Sequence, residues 1–505
     1  MGAPWWDEAV EVTQPALPGL TRRRRPPAAA VEPARAMPVA RVVVGLPQPH
    51  LDREFDYLVP ERLAAAARPG VRVRVRFAGR DVDGWLVARA EASDQVRLTP
   101  LRRVVSDEVV LTAEVLDLCR AVAARWAGTL ADVLRLAVPP RHARVEQELA
   151  VPGGGEAPEG GAAPGAGEAP GAGEAPGAGE APGWEQLAGG AALLRRLAAG
   201  EGPRAVWQAL PGGADGGAGW ADLVAGAVRA TRSGGRGALV VVPSEAEVEL
   251  ALAALDGAGV PRCAPGRSGG AVRLVADDGP AARYRAFLAV ARGLADVVVG
   301  TRAAAFAPVA DLGLVVCWDD ADPLHAEPRA PYPHAREVLA LRSGATGAGL
   351  LVGGYLRSPT AQRWVEEGWA RPVGPARSTI RATAPRVVHL DRVELARDGP
   401  AAAARLPSAA WRAIRDGLER GPVLVQVPRA GYLPGVACGG CRAQARCVAC
   451  AGPLRLAAAG APPSCGWCGA LAGSWRCPDC GHGGPGGPAV RAAPPAPGPR
   501  PALPR

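Results

Sequence analysis

Polar and apolar residues alternate in short segments between residues 38 and 104, with Pro and Gly between the segments. Alternation with a period of two is typical of β-strands that bury one face. Within residues 71–77, Val71, Val73 and Val75 alternate with arginines, so the valines are expected to face a core. The arginines then form the opposite face, which is either a solvated surface or a surface that contacts phosphates. The pattern predicts a small β-barrel-like domain.

The periodicity then becomes helical. Residues 105–152 carry apolar side chains three and four positions apart, which predicts a helical or winged-helix module. In residues 184–377, continuous apolar runs alternate with alanine-rich stretches, and this predicts a parallel sheet with helices on both faces. A second strand-helix pattern begins near residue 386, with the apolar runs RVVHLDR and GPVLVQV on either side of a helix. The predicted fold class is therefore multidomain α/β.

Three segments are too poor in large apolar residues to form a core. Residues 1–37 contain Pro, Ala and a run of four arginines, and are predicted to be a disordered arm. Residues 153–183 repeat GEAPGA units and are predicted to be a linker that lets the two halves move semi-independently. Residues 483–505 are rich in Pro and Gly and are predicted to be a disordered tail.

The charge of the chain is compatible with a nucleic-acid partner. The 505 residues include no lysine, so all 58 basic residues are arginines, and the formal net charge is +9. Arginines release counterions when they contact phosphates, although the codon bias of a GC-rich genome explains the same composition. No apolar run approaches the roughly 18 residues of a membrane span, and the first residues lack the apolar core of a signal peptide. We expect a cytoplasmic protein without membrane contact.

Eight of the eleven cysteines form four Cys-x-x-Cys pairs. The pairs are Cys438 with Cys441, Cys447 with Cys450, Cys465 with Cys468, and Cys477 with Cys480. Two such pairs complete a tetrahedral zinc site, so four pairs predict two structural Zn²⁺ ions. The alternative is a disulfide framework, but it needs an oxidising compartment, for which the sequence carries no signal. Spacing alone allows adjacent, crossed or nested combinations of the pairs.

These features together resemble the replication-restart primosomal proteins (PriA, or primosomal protein N′) along nearly all of residues 39–482. The matching segments are PHLDREFDYLVP at 49–60, GVRVRVRFAGR at 70–80, VVVGTRAAAFAPVADLGLVV at 297–316, PRAGY at 428–432 and the eight-cysteine module. The resemblance implies a protein that binds abandoned replication forks and promotes reloading of the replicative helicase. It implies the following division of the chain: a 3′ DNA-end-binding domain (38–104), a RecA-like helicase lobe (184–377), the start of a second lobe (378–437) and an inserted two-zinc module (438–482).

The resemblance also implies how the cysteine pairs combine. Nested sets are implied, with Cys438, Cys441, Cys477 and Cys480 on an outer zinc and Cys447, Cys450, Cys465 and Cys468 on an inner zinc. The implied partners are forked DNA with a 3′ end, primosome proteins and the replicative helicase. Single-stranded DNA-binding protein is a further candidate partner, and the implied location is the nucleoid.

Four residues correspond to the DNA-end site of this family. Phe55 and Asp56 are implied to line a pocket for the 3′-terminal nucleotide, with Gly79 in a nearby turn and Arg102 at a basic position that contacts DNA. An aromatic ring can stack on a base, and a carboxylate can accept a hydrogen bond from the 3′ hydroxyl. The alternative from the residues alone is that Phe55 and Tyr57 both alternate into the core of the sheet.

The chain departs from the family at the nucleotide site. ATP-driven members need a glycine-rich loop that ends in Gly-Lys-Thr. Residues 209–219 contain glycines, among them Gly213, Gly216 and Gly217, but neither a lysine nor a hydroxyl group. The Asp-Glu-Glu-His motif is replaced by a tryptophan at position 318 followed by Asp319, Asp320 and Ala321, and the third motif reads GGYL at 353–356. We expect that ATP hydrolysis has been lost.

The preferred hypothesis is a zinc-stabilised fork-binding scaffold for primosome assembly, without helicase or ATPase activity. One alternative is an active ATP-dependent 3′-to-5′ DNA helicase, and another is a zinc-dependent scaffold that binds only proteins. After residue 482 the rest of the second lobe is replaced by proline-rich sequence. Loss in this lineage and a shifted or truncated reading frame both explain the replacement.

Overall fold

The computed structural model describes residues 31–149, 183–211, 219–264, 269–391, 393, 397, 408–426, 435–456 and 461–486. The chain divides into two units, residues 1–384 and 385–505, which are described separately. Several predicted features lie outside the described residues: most of the N-terminal arm, the linker up to residue 182, the segment PRAGY and the tail beyond residue 486. None of the helices within the described ranges is long and apolar enough to cross a membrane.

The first unit begins with a five-stranded antiparallel sheet, here called the small sheet. Its strands are β1 (Val39–Val44), β2 (Glu54–Leu58), β3 (Arg72–Phe77), β4 (Arg80–Ala90) and β5 (Arg103–Val104), in the order β2-β1-β4-β3-β5. Val71, Val73 and Val75 are fully buried, which confirms the inward face predicted from the alternation. The segment before β5 bonds to strands β2 and β3, because Leu101 N donates to Leu58 O (2.9 Å) and Arg102 N donates to Arg74 O (3.0 Å).

The end of the predicted N-terminal arm is ordered, which corrects the predicted boundary. Ala34 is buried, and its N–H donates to the carbonyl of Val59 at 2.8 Å. The guanidinium of Arg89 donates to the carbonyls of Ala36 (2.7 Å) and Met37 (2.6 Å). These bonds hold residues 33–37 against the small sheet, and a count of apolar residues could not predict them because they use the backbone.

Three helices follow, where the helical periodicity predicts them: α1 (Ala113–Arg125), α2 (Leu130–Ala137) and α3 (Ala143–Glu148). The hydroxyl of Thr112 accepts from Val115 N at the start of α1, and the hydroxyl of Thr129 accepts from Asp132 N at the start of α2. Such caps satisfy N–H groups that have no partner inside the helix. Helix α1 packs against the larger domain of the same unit through a helix near residue 340.

The larger domain is a seven-stranded parallel sheet, as predicted, here called the large sheet. Its order is β12-β6-β11-β10-β7-β9-β8. The strands are β6 (Arg204–Gln208), β7 (Gly237–Val241), β8 (Ala271–Leu274), β9 (Val297–Gly300), β10 (Leu312–Trp318), β11 (Gly349–Gly354) and β12 (Arg371–Val373). The helices are α4 (Gly190–Ala198), α5 (Trp220–Ser233), α6 (Glu245–Gly257), α7 (Pro280–Ala291), α8 (Ala335–Thr346), α9 (Pro359–Glu366) and α10 (Arg377–Thr383).

Both faces of the large sheet are buried, which explains its continuous apolar strands. In β7, Leu239 and Val241 belong to one core cluster, whereas Val240 belongs to the other. Helices α4, α5 and α6 cover the second cluster, and α7, α8 and α9, together with α1 to α3, cover the first. A strand that is buried on both faces has no polar face, so its sequence does not alternate.

The second unit contains helix α11 (Ser408–Leu418) and two short antiparallel pairs. The pairs join β13 (Ala437–Cys438) to β16 (Pro485–Gly486) and β14 (Leu454–Arg455) to β15 (Ser464–Cys465). Strand β16 lies in the predicted tail, so the ordered region extends to residue 486 and the predicted boundary at 482 is corrected. The reason is again backbone pairing, which the Pro- and Gly-rich composition does not reveal.

The prediction of a strand on either side of α11 is wrong for the residues that the structure describes. Residues 386–391 and 422–426 form no strand. Val387 is 85% exposed and Leu424 is 91% exposed. A short apolar segment becomes a strand only where a neighbouring strand and a covering layer pair with it and bury it. Neither is present among the described residues of this unit.

Candidate DNA-end, nucleotide and metal sites

The eight cysteines of the second unit form two clusters of four thiols. The outer cluster contains Cys438, Cys441, Cys477 and Cys480, and the inner cluster contains Cys447, Cys450, Cys465 and Cys468. Within each cluster the sulfur atoms all lie within 4.8 Å of one another. The structure therefore brings together the same two sets that the resemblance implies.

The distances between sulfur atoms suit metal sites and exclude disulfides among these eight residues. The Sγ atoms of Cys438 and Cys480 are 3.5 Å apart, and those of Cys447 and Cys468 are 3.8 Å apart. A disulfide needs about 2.05 Å between sulfurs. Four thiolates at about 2.3 Å from one zinc ion lie about 3.8 Å from each other. Each cluster can thus hold one metal ion, in agreement with two zinc sites, and no ligand position is left for water or substrate.

All four cysteine pairs share one backbone turn. The N–H of the first cysteine donates to the carbonyl five residues later: Cys438 to Ala443, Cys447 to Gly452, Cys465 to Ala470, and Cys477 to His482. The residue four positions after the first cysteine has a positive φ in every pair: Arg442 (65°), Ala451 (57°), Gly469 (75°) and Gly481 (70°). This common turn sets both thiols of a pair on one side, as two ligands of one ion require.

Backbone N–H groups also point at the sulfur atoms. Gly440 N lies 3.3 Å from Cys438 Sγ, and Trp467 N lies 3.3 Å from Cys465 Sγ. Bonds from the N–H groups of Cys468 and Trp467 lower the pKa of Cys465 to about 6, against the opposing effect of burial. A lowered thiol pKa favours the thiolate, which is the form that binds a metal.

The predicted DNA-end residues lie on and around the small sheet. Phe55 is half-buried on the edge strand β2, where its ring meets the ring of Phe77 edge to face, with centroids 4.9 Å apart. The Arg53 guanidinium lies 4.8 Å from the Phe55 centroid. Tyr57 is buried in the core, whereas Phe55 only packs against its margin. The alternative that both rings point into the core of the sheet is therefore right for Tyr57 and only partly right for Phe55.

Gly79 and Arg102 lie near the same end of the sheet. Ala78 and Gly79 form the two-residue turn between β3 and β4, with φ of 44° and 79°. Both values are positive, as in the tight turns that favour glycine. Arg102 Nε lies 3.5 Å from Asp81 Oδ1, two residues after the turn. Since Phe77 directly precedes the same turn, Phe55 and Arg102 contact residues on either side of the β-turn that contains Gly79.

Asp56 has different surroundings. Its carboxylate accepts a hydrogen bond from the Ser93 hydroxyl at 2.5 Å. Neighbouring residues of a strand point to opposite faces, so the side chains of Phe55 and Asp56 do not share a face. One ligand can contact both only at the edge of β2.

Tryptophan side chains occupy the carboxyl ends of β6 and β10, where the nucleotide motifs were expected. Trp184, Trp207, Trp220 and Trp318, here called the tryptophan cluster, are all buried. Trp318 ends β10 and stacks on Trp220 with centroids 4.6 Å apart and planes at 9°. Trp207 lies 5.3 Å from Trp318 and 5.2 Å from Trp184. The periodicity of the sequence did not predict this cluster, although Trp318 in place of an acidic residue was a signal.

The expected acidic residues follow Trp318 and have structural partners. Asp320 is 2% exposed and accepts hydrogen bonds from Arg336 Nη1 (2.8 Å) and Ser358 Oγ (2.5 Å). Asp319 has a positive φ of 48°, and burial raises the pKa of its carboxyl. The loop with Gly213, Gly216 and Gly217 lies outside the described residues, so only part of the predicted degenerate site can be placed.

Part of the chain matches a known domain family. Residues 41–139 match the family model of the PriA 3′DNA-binding domain (3′BD). The match spans most of β1, the rest of the small sheet, and helices α1 and α2.

Longer similarity extends to full-length proteins of several bacteria. The "Probable replication restart protein PriA" of Mycobacterium tuberculosis (strain ATCC 25618 / H37Rv) is 48% identical over 442 residues, which cover 86% of this chain and 62% of that protein. The protein of the same name in Mycobacterium leprae (strain TN) is 48% identical over 439 residues, covering 86% and 63%. The "Replication restart protein PriA" of Bacillus subtilis (strain 168) is 29% identical over 123 residues, covering 24% and 15%. The chain thus spans less than two thirds of the length of these relatives.

Proposed function

We propose that this protein binds the 3′ end of a DNA strand at abandoned replication forks and promotes reloading of the replicative helicase, without hydrolysing ATP. The observation that carries the proposal is that the candidate DNA-end residues lie close together inside the region that resembles a DNA-binding domain. The similarity to a 3′ DNA-binding domain covers residues 41–139, and the candidate residues Phe55, Gly79 and Arg102 surround one turn of the sheet inside that range.

The proposed contacts follow from the chemistry of the side chains. The half-exposed Phe55 ring stacks on the terminal base, because aromatic rings offer every base a stacking surface. Arg102 is 53% exposed, and within the described ranges its one ion pair is the long contact with Asp81, so its guanidinium is available for a phosphate. Asp56 accepts a hydrogen bond from the 3′ hydroxyl in place of the Ser93 hydroxyl that it now binds.

The proposed loss of ATP hydrolysis rests on the contents of the large sheet. A phosphate loop after β6 and a magnesium ligand at the end of β10 would have to use the space that Trp207, Trp220 and Trp318 fill. Asp320 is tied to Arg336 and is 2% exposed, so it cannot reach a magnesium ion without leaving that partner. With no lysine in the chain, the charge that neutralises the γ-phosphate is also missing.

Zinc in both thiol clusters completes the proposal. The ions stabilise residues 435–486 and do not act in catalysis, because four thiolates close each coordination shell. Forked DNA with a 3′ end is the proposed ligand, and primosome proteins and the replicative helicase are the proposed partners. Single-stranded DNA-binding protein is a further proposed partner, and the nucleoid is the proposed location.

Fluorescence anisotropy with forked DNA tests the DNA-end site. We expect tighter binding to a fork with a free 3′ hydroxyl at the junction than to the same fork with a 3′ phosphate or to plain duplex. Phe55→Ala is expected to weaken binding by about five- to a hundredfold, as for the loss of one base stack. Asp56→Ala, which removes the acceptor, should remove the preference for the hydroxyl, and Asp94→Ala, which changes an exposed aspartate in the same region, is the matched control. Equal affinity for fork and duplex would contradict the proposal.

Phosphate release in the presence of fork DNA tests the absence of ATPase activity. We expect no turnover above that of a protein-free control. DNA-stimulated turnover that Asp319→Asn abolishes would support the helicase alternative instead. Absence of DNA binding together with retention of a primosome partner would support a scaffold that binds only proteins.

A further inference from the structure

A cavity of about 680 Å³ lies beside the small sheet, between β3, β4 and the helix α2 with the residues that follow it. Its wall contains five arginines and one tryptophan. These residues are Arg72, Arg74, Trp85, Arg103, Arg135 and Arg141. From the sequence, the arginine face of β3 is either a solvated surface or a surface that contacts phosphates. The three arginines of this face have different surroundings. Arg72 and Arg74 line the cavity wall, whereas Arg76 is exposed and pairs with Asp81.

The charges in this wall are only partly balanced. Three of the arginines have carboxylate partners: Arg74 with Asp83 at 2.8 Å, Arg135 with Asp132 at 3.0 Å, and Arg141 with Glu146 at 2.6 Å. Within the described ranges, Arg72 and Arg103 form no ion pair. The wall therefore keeps an excess of positive charge that an anion can balance.

Two hydrogen-bond donors in the wall also lack acceptors. Among the described residues, Arg72 Nη1 and Trp85 Nε1 are buried without a hydrogen-bond partner. The other amino group of Arg72 donates to the Pro139 carbonyl, and its guanidinium lies 5.8 Å from the centroid of the Tyr284 ring. Burial lowers the pKa of Arg72, against the opposing effect of the nearby Tyr284 and Glu146. Buried donors in native proteins nearly always have an acceptor, so each of these side chains keeps a donor that it can offer to an anion in the cavity by turning toward it.

We propose that this cavity binds a phosphate of the DNA backbone, one that belongs to the strand held by the small sheet. The proposal rests on the proposed function, because it assumes that this domain binds DNA. A phosphate fits the wall since it is charged and offers several oxygens to planar guanidinium groups. The cavity is distinct from the turn around Gly79, so it positions the strand without contacting the terminal base.

Anisotropy titrations with the 3′-ended fork at several salt concentrations test the proposal. Arg103→Gln and Arg72→Gln are each expected to weaken binding about tenfold. Each should also lower the slope of log affinity against log salt by about 0.9, the value for one lost phosphate contact. Trp85→Phe keeps an aromatic ring but removes the indole N–H, and a loss of a few-fold is expected. Arg144→Gln changes an arginine that is 82% exposed and pairs with Glu148, and this control should leave affinity and slope unchanged.

A second measurement identifies the phosphate. Forks in which single phosphates are replaced in turn by neutral methylphosphonates should reveal one position that weakens wild-type binding about tenfold. At that position, Arg103→Gln should bind the modified and the unmodified fork equally well. Because Arg103 is exposed, its substitution is expected to leave the fold intact, which circular dichroism checks, even if Arg72→Gln unfolds.

The outcomes separate this inference from the proposed function. Wild-type affinity and salt slope in Arg103→Gln would overturn the phosphate site while leaving fork binding in place. The phosphate site would also be overturned if, at every position, the affinity lost through the methylphosphonate simply added to the affinity lost through Arg103→Gln. If the wild-type protein binds no fork, both the phosphate site and the proposed function are wrong.

Discussion

Trp318 provides the sharpest test of whether the nucleotide region of the large sheet has become part of the hydrophobic core. Its side chain is 1% exposed and meets Trp220, Trp207 and Tyr355, with centroids 4.6, 5.3 and 5.3 Å away. Replacing a buried Trp by Ala destabilises a protein by about 3–5 kcal/mol. Each lost aromatic pair adds about 0.5–1.5 kcal/mol. We therefore expect Trp318→Ala to lower the free energy of unfolding by about 5 kcal/mol, a large part of the stability of a typical domain.

Urea unfolding followed by indole fluorescence and far-ultraviolet circular dichroism measures this loss. Tyr355→Ala is the graded control, because Tyr355 is 43% exposed and has one aromatic partner in the tryptophan cluster. We expect it to lower the free energy of unfolding by about 1–2 kcal/mol. Equal losses for the two variants would refute the argument that the cluster is a packed core.

Restoring the acidic residue of the family at this position gives a complementary result. Trp318→Asp places a carboxylate among indoles and next to Asp320, which is already buried and paired with Arg336. A buried unpaired carboxylate is costly, so this variant should be less stable than Trp318→Ala. Nucleotide binding by a folded Trp318→Asp protein, measured by calorimetry, would show that the indoles do not fill the site.

Three further predictions concern pH, metal and the turns of the cysteine pairs. Burial, followed by the nearby Arg336 charge, lowers the pKa of His334 to about 4, and its Nδ1 accepts the N–H of Arg336 at the start of α8. The unfolded state therefore binds a proton that the folded state does not. The free energy of unfolding should fall by about 1–2 kcal/mol as the pH drops from about 6.5 to about 4. His334→Asn keeps an acceptor for the N–H of Arg336 and should flatten that part of the stability profile measured by urea unfolding. Mass spectrometry under native conditions should find two zinc ions per chain and one in Cys480→Ser, and retention of both ions in that variant would contradict the assigned outer cluster. At Gly481, φ is 70° and an added Cβ would meet no atom within 4 Å, so the cost of Gly481→Ala comes from the backbone conformation alone. This variant should lower the free energy of unfolding of the zinc-loaded module by about 1 kcal/mol, whereas Ala451→Gly at the equivalent position should not lower it. Equal losses in the two variants would contradict the common turn.

Local patterns in the sequence account for much of the fold. The alternation around Val73 set the inward face of β3, because side chains of a strand point to opposite sides. The apolar runs that became β7 and β10 indicated a sheet covered on both faces, because no polar face was left. The Cys-x-x-Cys pairs determined that metal ligands would come in twos, because each pair needs only one short turn. In all three cases the information lies within a few consecutive residues.

The tertiary structure decided what depends on residues far apart in the chain. Spacing left three ways to combine the cysteine pairs, and only the folded module places Cys438 beside Cys480. The predicted strands around α11 failed because a strand also needs neighbours, which its own sequence does not contain. The tryptophan cluster joins residues 184 and 318, and the arginine cavity joins residues 72 and 141. Such sites arise only when strands and helices pack, because packing is what brings distant side chains and unpaired donors together.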